Sequence, residues 1–219
     1  MKQGLSGTPT PDGEAMSVCY LYVLPLAGED ILKLGIARDP FVRALAFSRR
    51  YYEFFDLSRS VLVEYDSRKE AQARETELHR RMCDWNAVQP ITVRAAAAGK
   101  TEWYRGAYDR LLEELEHDEA QGRIVHRDAL PWWQARLRAE REKLYEWIVW
   151  ITRDDACPLP ACERQRRLAD VLDSYAQLGV SLESAVPEEL ASLAIICPTH
   201  SDDGTGAPMN HLPPPVDLV

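Results

Sequence analysis

Residues 18–43 read VCYLYVLPLAGEDILKLGIARDPFVR, and the fold turns on them. The stretch 18–26, VCYLYVLPL, is rich in β-branched and aromatic residues and predicts a strand. Gly28-Glu29-Asp30 supplies a turn, and 31–36, ILKLGI, predicts a second strand, so the pair reads as a β-hairpin with a short loop. Asp39-Pro40 is a helix start, with Asp39 as N-cap and Pro40 at the first helical position. The helix is expected to run on through FVRALAFSRRYY.

Working outward, residues 60–65, SVLVEY, predict a third strand. Asp66 or Ser67 caps the next helix, RKEAQARETELHRRM, in which Ala71, Arg74/Glu75, Leu78 and Met82 recur at three- and four-residue spacing. The order strand, strand, helix, strand, helix predicts an α+β fold: a small antiparallel three-stranded sheet flanked by helices. Residues 106–121 read as a polar helix with an acidic end, EELEHDEA. Residues 132–152 read as one helical stretch, with Trp133, Leu137, Leu144, Ile148 and Ile151 at helical spacing, and 163–178 as a further helix. The expected division is a flexible leader over 1–16, an α+β domain over 17–105, a helical connector over 106–155, a zinc-binding helical module over 156–200 and a flexible tail over 201–219. There is no internal repeat.

Bulk properties narrow the function classes. The chain has 219 residues, 46% hydrophobic and 28% charged, which supports a sizeable core and argues against wholesale disorder. The net charge of −9 counts against a free-standing, non-specific nucleic-acid binder. Local charge matters more at a cleft, and residues 31–81 hold eleven Lys+Arg against eight Asp+Glu, a surplus of the sign that phosphate needs. No run of 18 apolar residues predicts a membrane span, and the N-terminus MKQGLSGTPTPDGEAMS has no apolar signal-peptide core, so a cytoplasmic chain is expected.

Tyr20-Leu21-Tyr22-Val23-Leu24, Lys33-Leu34-Gly35, Asp39-Pro40 with Arg43, Glu75-Thr76-Glu77-Leu78-His79 and the closing Thr101-Glu102-Trp103-Tyr104 occur in that order. The set resembles the GIY-YIG nucleases, and more narrowly their phage-associated branch, whose motifs run Y-x-Y-V-L, K-I-G, D-P-x-x-R and E-x-x-L-H and close on a glutamate-tryptophan-aromatic strand. The resemblance spans about 90 residues, roughly two-fifths of the chain. Taken singly, each motif is weak: Tyr20 and Tyr22 suit a packed strand face, Arg43 a solvated helix position, and Glu75 a surface charge. The joint pattern implies a metal-dependent endonuclease that hydrolyses DNA phosphodiesters, in a phage, mobile-element or anti-phage setting.

The chemistry fits those residue types. Phosphodiester cleavage needs an activated water, a cation and neutralisation of the transition-state charge. A helical carboxylate such as Glu75 suits Mg²⁺ or Mn²⁺. Arg43 offers a planar fork of donors to phosphate oxygens. Tyr22 would orient or deprotonate the nucleophile, and His79, one turn after Glu75, would shuttle a proton or orient a partner. Tyr20, Gly35 and Arg38 are expected to contact the substrate. Gly35 takes the place of the family's second glycine, which lets the backbone pack closely. Lys33 stands where most of the superfamily has tyrosine; it would lower a neighbouring tyrosine's pKa or bind phosphate directly. Asn86 is the nearby asparagine that falls after these motifs.

Two further features lie in the second half. Cys157, Cys162, Cys197 and His200 form two short-spaced pairs, which suits a structural Zn²⁺. No histidine occurs within 163–196 to serve a second nuclease site. Trp132, Trp133, Trp147 and Trp150 crowd the 132–152 stretch. They read as a helix packed between two domains, or as a surface for a protein partner or single-stranded nucleic acid. Two alternatives to the endonuclease stand beside it. One is a catalytically inactive nuclease-like module that binds nucleic acid or protein. The other is a subunit of a larger complex in which a partner supplies the basic surface.

Overall fold

The protein is described by a computed structural model, covering residues 18–93, 97, 99, 101–153 and 157–182. The expected leader and tail lie outside the described residues. The hairpin forms as read: β1 is Cys19–Pro25 and β2 is Ile31–Ala37, antiparallel, with Tyr22 opposite Gly35 and Leu24 opposite Lys33. Gly28 sits in the turn at φ 75°, a left-handed conformation that glycine adopts without a Cβ clash. β3, Val61–Tyr65, pairs with the other edge of β1.

The sheet has five antiparallel strands, not three. The short β4, Trp103–Arg105, pairs with β2, and the two-residue β5, Val125–His126, pairs with β3, giving the order β4-β2-β1-β3-β5. β4 is the closing strand of the motif set. β5 has no alternating pattern to read, because it is two residues long.

Helices cover both faces. Cys19, Leu21 and Val23 of β1 pack under α3 (Arg68–Arg81) and α4 (Tyr108–Ala120). Tyr22 and Leu24 face α1 (Pro40–Phe47), the single turn α2 (Tyr51–Phe54), α5 (Leu130–Ala139), α6 (Arg141–Thr152) and α7 (Ala161–Gln177). A strand buried on both sides reads as a continuous apolar run, as β1 does. The expected connector and C-terminal helices therefore share one hydrophobic cluster with the sheet: Trp133, Leu137, Ile148, Leu168 and Tyr175 join Tyr22 and Leu62.

Two expected helices are interrupted. The first ends at Phe47, where Ser48 turns extended, and resumes as α2 so that Tyr51 enters the core edge-on to Phe41 at 5.4 Å. The 132–152 stretch breaks at Glu140 into α5 and α6. The break lets Trp133 and Leu137 of one helix, and Leu144, Ile148 and Ile151 of the next, all be buried. Trp133 is fully buried with its indole N–H donated to Ser60 Oγ at 2.9 Å. Ser60 in turn accepts at its carbonyl from the Ala129 N–H, tying α5 to the start of β3. Among the described residues, no helix is long and apolar enough to cross a membrane.

α3 begins at its Ser67 cap, whose hydroxyl accepts from the Glu70 N–H. Its inward positions are not all apolar. Arg74 is buried against α4, donating from Nε and Nη2 to Asp118 Oδ2 at 3.0 and 2.9 Å and from Nη2 to the Glu114 carbonyl at 2.8 Å. Tyr65 donates to the other oxygen of Asp118. Each charge that the sheet and helices bury here is hydrogen-bonded, which is what makes burying it tolerable.

Candidate active site at the open edge of β2

The site is set by where β4 stops. β4 covers Ile31–Lys33 of β2, and the Leu34 N–H reaches the Glu102 carbonyl at 3.2 Å. Beyond that point β2 runs on to Ala37 with no strand on that side among the described residues, while β1 still pairs with its other side. Strand parity puts Tyr22, Gly35, Lys33 and Trp103 on one face, and Leu32, Leu34 and Tyr104 on the other. The expected residues come from both faces and meet at this edge.

On the first face, Tyr22 lies over Gly35. A Cβ built on Gly35 would sit 2.4 Å from Tyr22 Oη and 2.6 Å from Cζ. The missing side chain is therefore the space that the phenol occupies. Arg43, delivered by the first helical turn after the Asp39 cap, donates from Nε to Tyr22 Oη at 3.3 Å. Asp39 accepts from the Phe41 N–H at 2.9 Å and is itself held by Arg136 of α5 at 2.8 Å. The Arg43 guanidinium stacks on Phe47, 4.5 Å from the ring centre. Among the described residues no carboxylate lies within ion-pairing distance of it, so its terminal nitrogens remain available to an anion.

Lys33 does not play the part expected of it. It is fully buried, donating to the Gly99 carbonyl at 3.2 Å and paired with Glu102, with the Trp103 ring centre 5.6 Å away. An ammonium so enclosed is not placed to grip phosphate. Burial draws its pKa down, against the pull of Glu102. Nor is the Tyr22 pKa lowered overall. Burial pushes Tyr22 up to about 12; Arg43 pulls the other way, while Glu102 and Glu75 add to the rise. Tyr22 is a neutral phenol at physiological pH.

On the second face, α3 presents Glu75 and His79 one turn apart. Glu75 is 7% exposed and accepts from Gln72 Nε2 at 2.5 Å. His79 Nδ1 and Tyr104 Oη are 2.5 Å apart, with the two rings stacked at 19°. The other ring nitrogen, Nε2, lies 3.7 Å from Glu75 Oε1, is buried, and has no hydrogen-bond partner. Glu102 joins the two faces: it pairs with Lys33 on one side and, with Glu75 and His79, brings three ligand atoms within 4.8 Å of one another. This His-carboxylate-carboxylate set fits a divalent cation.

Other expected residues are placed as follows. Tyr20 is half-buried with its ring edge-on to Trp132 at 5.4 Å, and Arg38 is exposed just past β2. Asn86 is exposed and donates to the Thr101 carbonyl, next to Glu102. Cys157 is buried and Cys162 exposed, both as free thiols, while Cys197 and His200 lie outside the described residues. Trp133 is in the core, and Trp132 and Trp147 pack partly buried against it, so these three rings serve packing first. Sequence reading gave no role to Glu102, Tyr104 or Gln72. The signal for the first two was their place in the closing Glu-Trp-Tyr strand, and for Gln72 its position three residues before Glu75 on one helix. Compared with known proteins, the chain matches no protein-family model, no curated protein and no solved structure.

Proposed function

We propose that the protein is a metal-dependent endonuclease of GIY-YIG type that hydrolyses DNA phosphodiester bonds at the open edge of β2. The observation that carries this reading is the meeting of an anion-ready arginine, a neutral phenol and a half-buried carboxylate-histidine cluster at one edge, from residues 22, 43, 75, 79 and 102.

Each residue has a definite task. Arg43 receives the phosphate, its terminal nitrogens donating to non-bridging oxygens. Tyr22 accepts from Arg43 Nε and, with its hydroxyl buried over Gly35, positions the arginine from within the core. With its pKa raised, it does not act as a base at neutral pH. Glu75 holds the cation, Mg²⁺ or Mn²⁺, which when bound neutralises charge developing on the phosphoryl oxygens. His79 is fixed by Tyr104 and faces Glu75. Arg38 and Tyr20 extend the surface from the same end of the hairpin. Cys157, Cys162, Cys197 and His200 form a structural zinc site in the same proposal, tested by metal analysis of wild type against Cys162→Ala.

A second reading, an inactive nuclease-like module that binds nucleic acid or protein, is favoured by one observation: the buried lysine in the family's second motif is spent on a pair with Glu102. Cleavage of supercoiled and single-stranded DNA with Mg²⁺ or Mn²⁺, set against EDTA and against Glu75→Gln, decides between the two. Folded wild type that never cuts leaves the binding module.

A further inference from the structure

We infer that Glu75, His79 and Glu102 together form a three-ligand site for a transition-metal dication of the Mn²⁺ class, with an imidazole nitrogen among its ligands. The inference rests on the proposed site for its setting but goes beyond it, since a carboxylate with water ligands would be enough for Mg²⁺.

The geometry comes first. Ligand atoms held about 2.1 Å from one ion are about 3 to 4 Å apart. The three donors already lie within 4.8 Å, so small side-chain rotations close the set. The histidine supplies the second observation. Its Nε2 is buried and unpartnered, while Nδ1 is engaged by Tyr104. Leaving a buried polar atom unpaired is costly, and a metal bond relieves that cost. With Nε2 as ligand, Nδ1 carries the proton and donates to Tyr104 Oη, the outer-shell arrangement that fixes a ligating imidazole.

Every ligand has its own positioning partner: Gln72 for Glu75, Tyr104 for His79 and Lys33 for Glu102. The charge also favours a cation: two carboxylates and the Lys33 ammonium leave one net negative charge, and a bound dication would bring the set to one net positive charge, the sign that meets a phosphate. The donor set then selects the ion. Mg²⁺ prefers oxygen ligands and retains water, whereas imidazole with carboxylates suits Mn²⁺ and its heavier neighbours.

The test uses the full chain stripped of metal with EDTA, titrated with Mn²⁺ and followed by loss of the free-ion electron paramagnetic resonance signal. Mg²⁺ is measured separately by calorimetry. Wild type is expected to take up Mn²⁺ at this site. His79→Phe keeps the ring stack on Tyr104 but has no ligand, and is expected to weaken Mn²⁺ binding at least about tenfold while changing Mg²⁺ affinity by less than about threefold. Tyr104→Phe is expected to weaken Mn²⁺ binding by a smaller factor, which a purely structural role would not produce. Glu102→Gln risks the fold by leaving Lys33 without its counter-charge, so the first two variants decide. A folded His79→Phe protein with wild-type Mn²⁺ affinity overturns the inference. His79-dependent Mn²⁺ binding without DNA cleavage sustains the site and removes the nuclease reading. Mg²⁺-dependent cleavage with no Mn²⁺ preference lost in His79→Phe does the reverse.

Discussion

Gly35→Ala isolates the packing on which the candidate site depends. Gly35 is in a regular strand and does not have a positive φ, so alanine is allowed by the backbone there. The cost must come from the side chain. The new methyl would lie 2.4 Å from Tyr22 Oη, and an ordinary contact needs about 3.4 Å, so the phenol must retreat by about 1 Å. Tyr22 is 1% exposed and belongs to the same packed cluster as Phe41, Phe47 and Leu62, which leaves its ring little room to retreat. Overpacking of this kind costs about 1–3 kcal/mol. The same shift breaks the 3.3 Å bond from Arg43, and a misplacement of about 1 Å at a reacting centre costs on the order of 100-fold in rate. Urea unfolding reads the first effect and plasmid cleavage the second. A double-mutant cycle with Tyr22→Leu closes the argument: in that background Gly35→Ala should cost less than about 0.5 kcal/mol, because the clash partner is gone. Gly35→Ala with wild-type stability, or an equal cost in both backgrounds, would refute the reasoning.

Three more outcomes are expected. Removing Arg74 by Arg74→Met leaves Asp118 buried without its cation, and thermal or urea unfolding should show a loss of about 3–5 kcal/mol. The Lys33–Glu102 pair is asymmetric, with side-chain exposures of 0% and 31%. Glu102→Ala strands a buried ammonium and should therefore destabilise clearly more than Lys33→Met, which leaves a carboxylate that water can reach; equal losses in urea would contradict the burial of Lys33. The Tyr22 pKa of about 12 lies above its value of about 10 in the unfolded chain. Its contribution is thus complete below pH 10 and is lost as pH rises toward 12, at about 1.4 kcal/mol per pH unit. Tyr22→Phe should make the alkaline fall in stability shallower over that window, and an unchanged slope would place the phenol's titration elsewhere.

What the sequence made legible was local. The hairpin, the Asp39 cap that aims Arg43, the Ser67 cap of α3 and the one-turn spacing of Glu75 and His79 each lie within a few residues of their signals. The Tyr22–Gly35 contact is set by the hairpin register, which the sequence left open. The remainder depended on chain segments that meet only on folding. Lys33 finds Glu102 at a separation of 69 residues, and Arg74 finds Asp118 at 44. No periodicity announces that a lysine and an arginine will be buried against those carboxylates. Lys33 therefore looked like a phosphate ligand, although its strand parity points it into the core. The break at Glu140 has neither glycine nor proline to mark it; it arises because two apolar faces must reach one cluster. The two-residue β5 is too short for any pattern.

The most direct test of the account is cleavage of supercoiled DNA by purified protein at matched concentrations of wild type, Arg43→Ala and Glu75→Gln, with Mg²⁺ or Mn²⁺ and with EDTA. In the proposed reaction Arg43, with one nitrogen on Tyr22, would receive the phosphate, and Glu75, in the cluster on the opposite face, would hold the cation, so each substitution removes a separate requirement. The account predicts nicking by wild type that EDTA abolishes, and a fall of at least about 100-fold in either variant while both remain folded. Folded wild type with no metal-dependent cleavage, or cleavage that survives both substitutions, would contradict it.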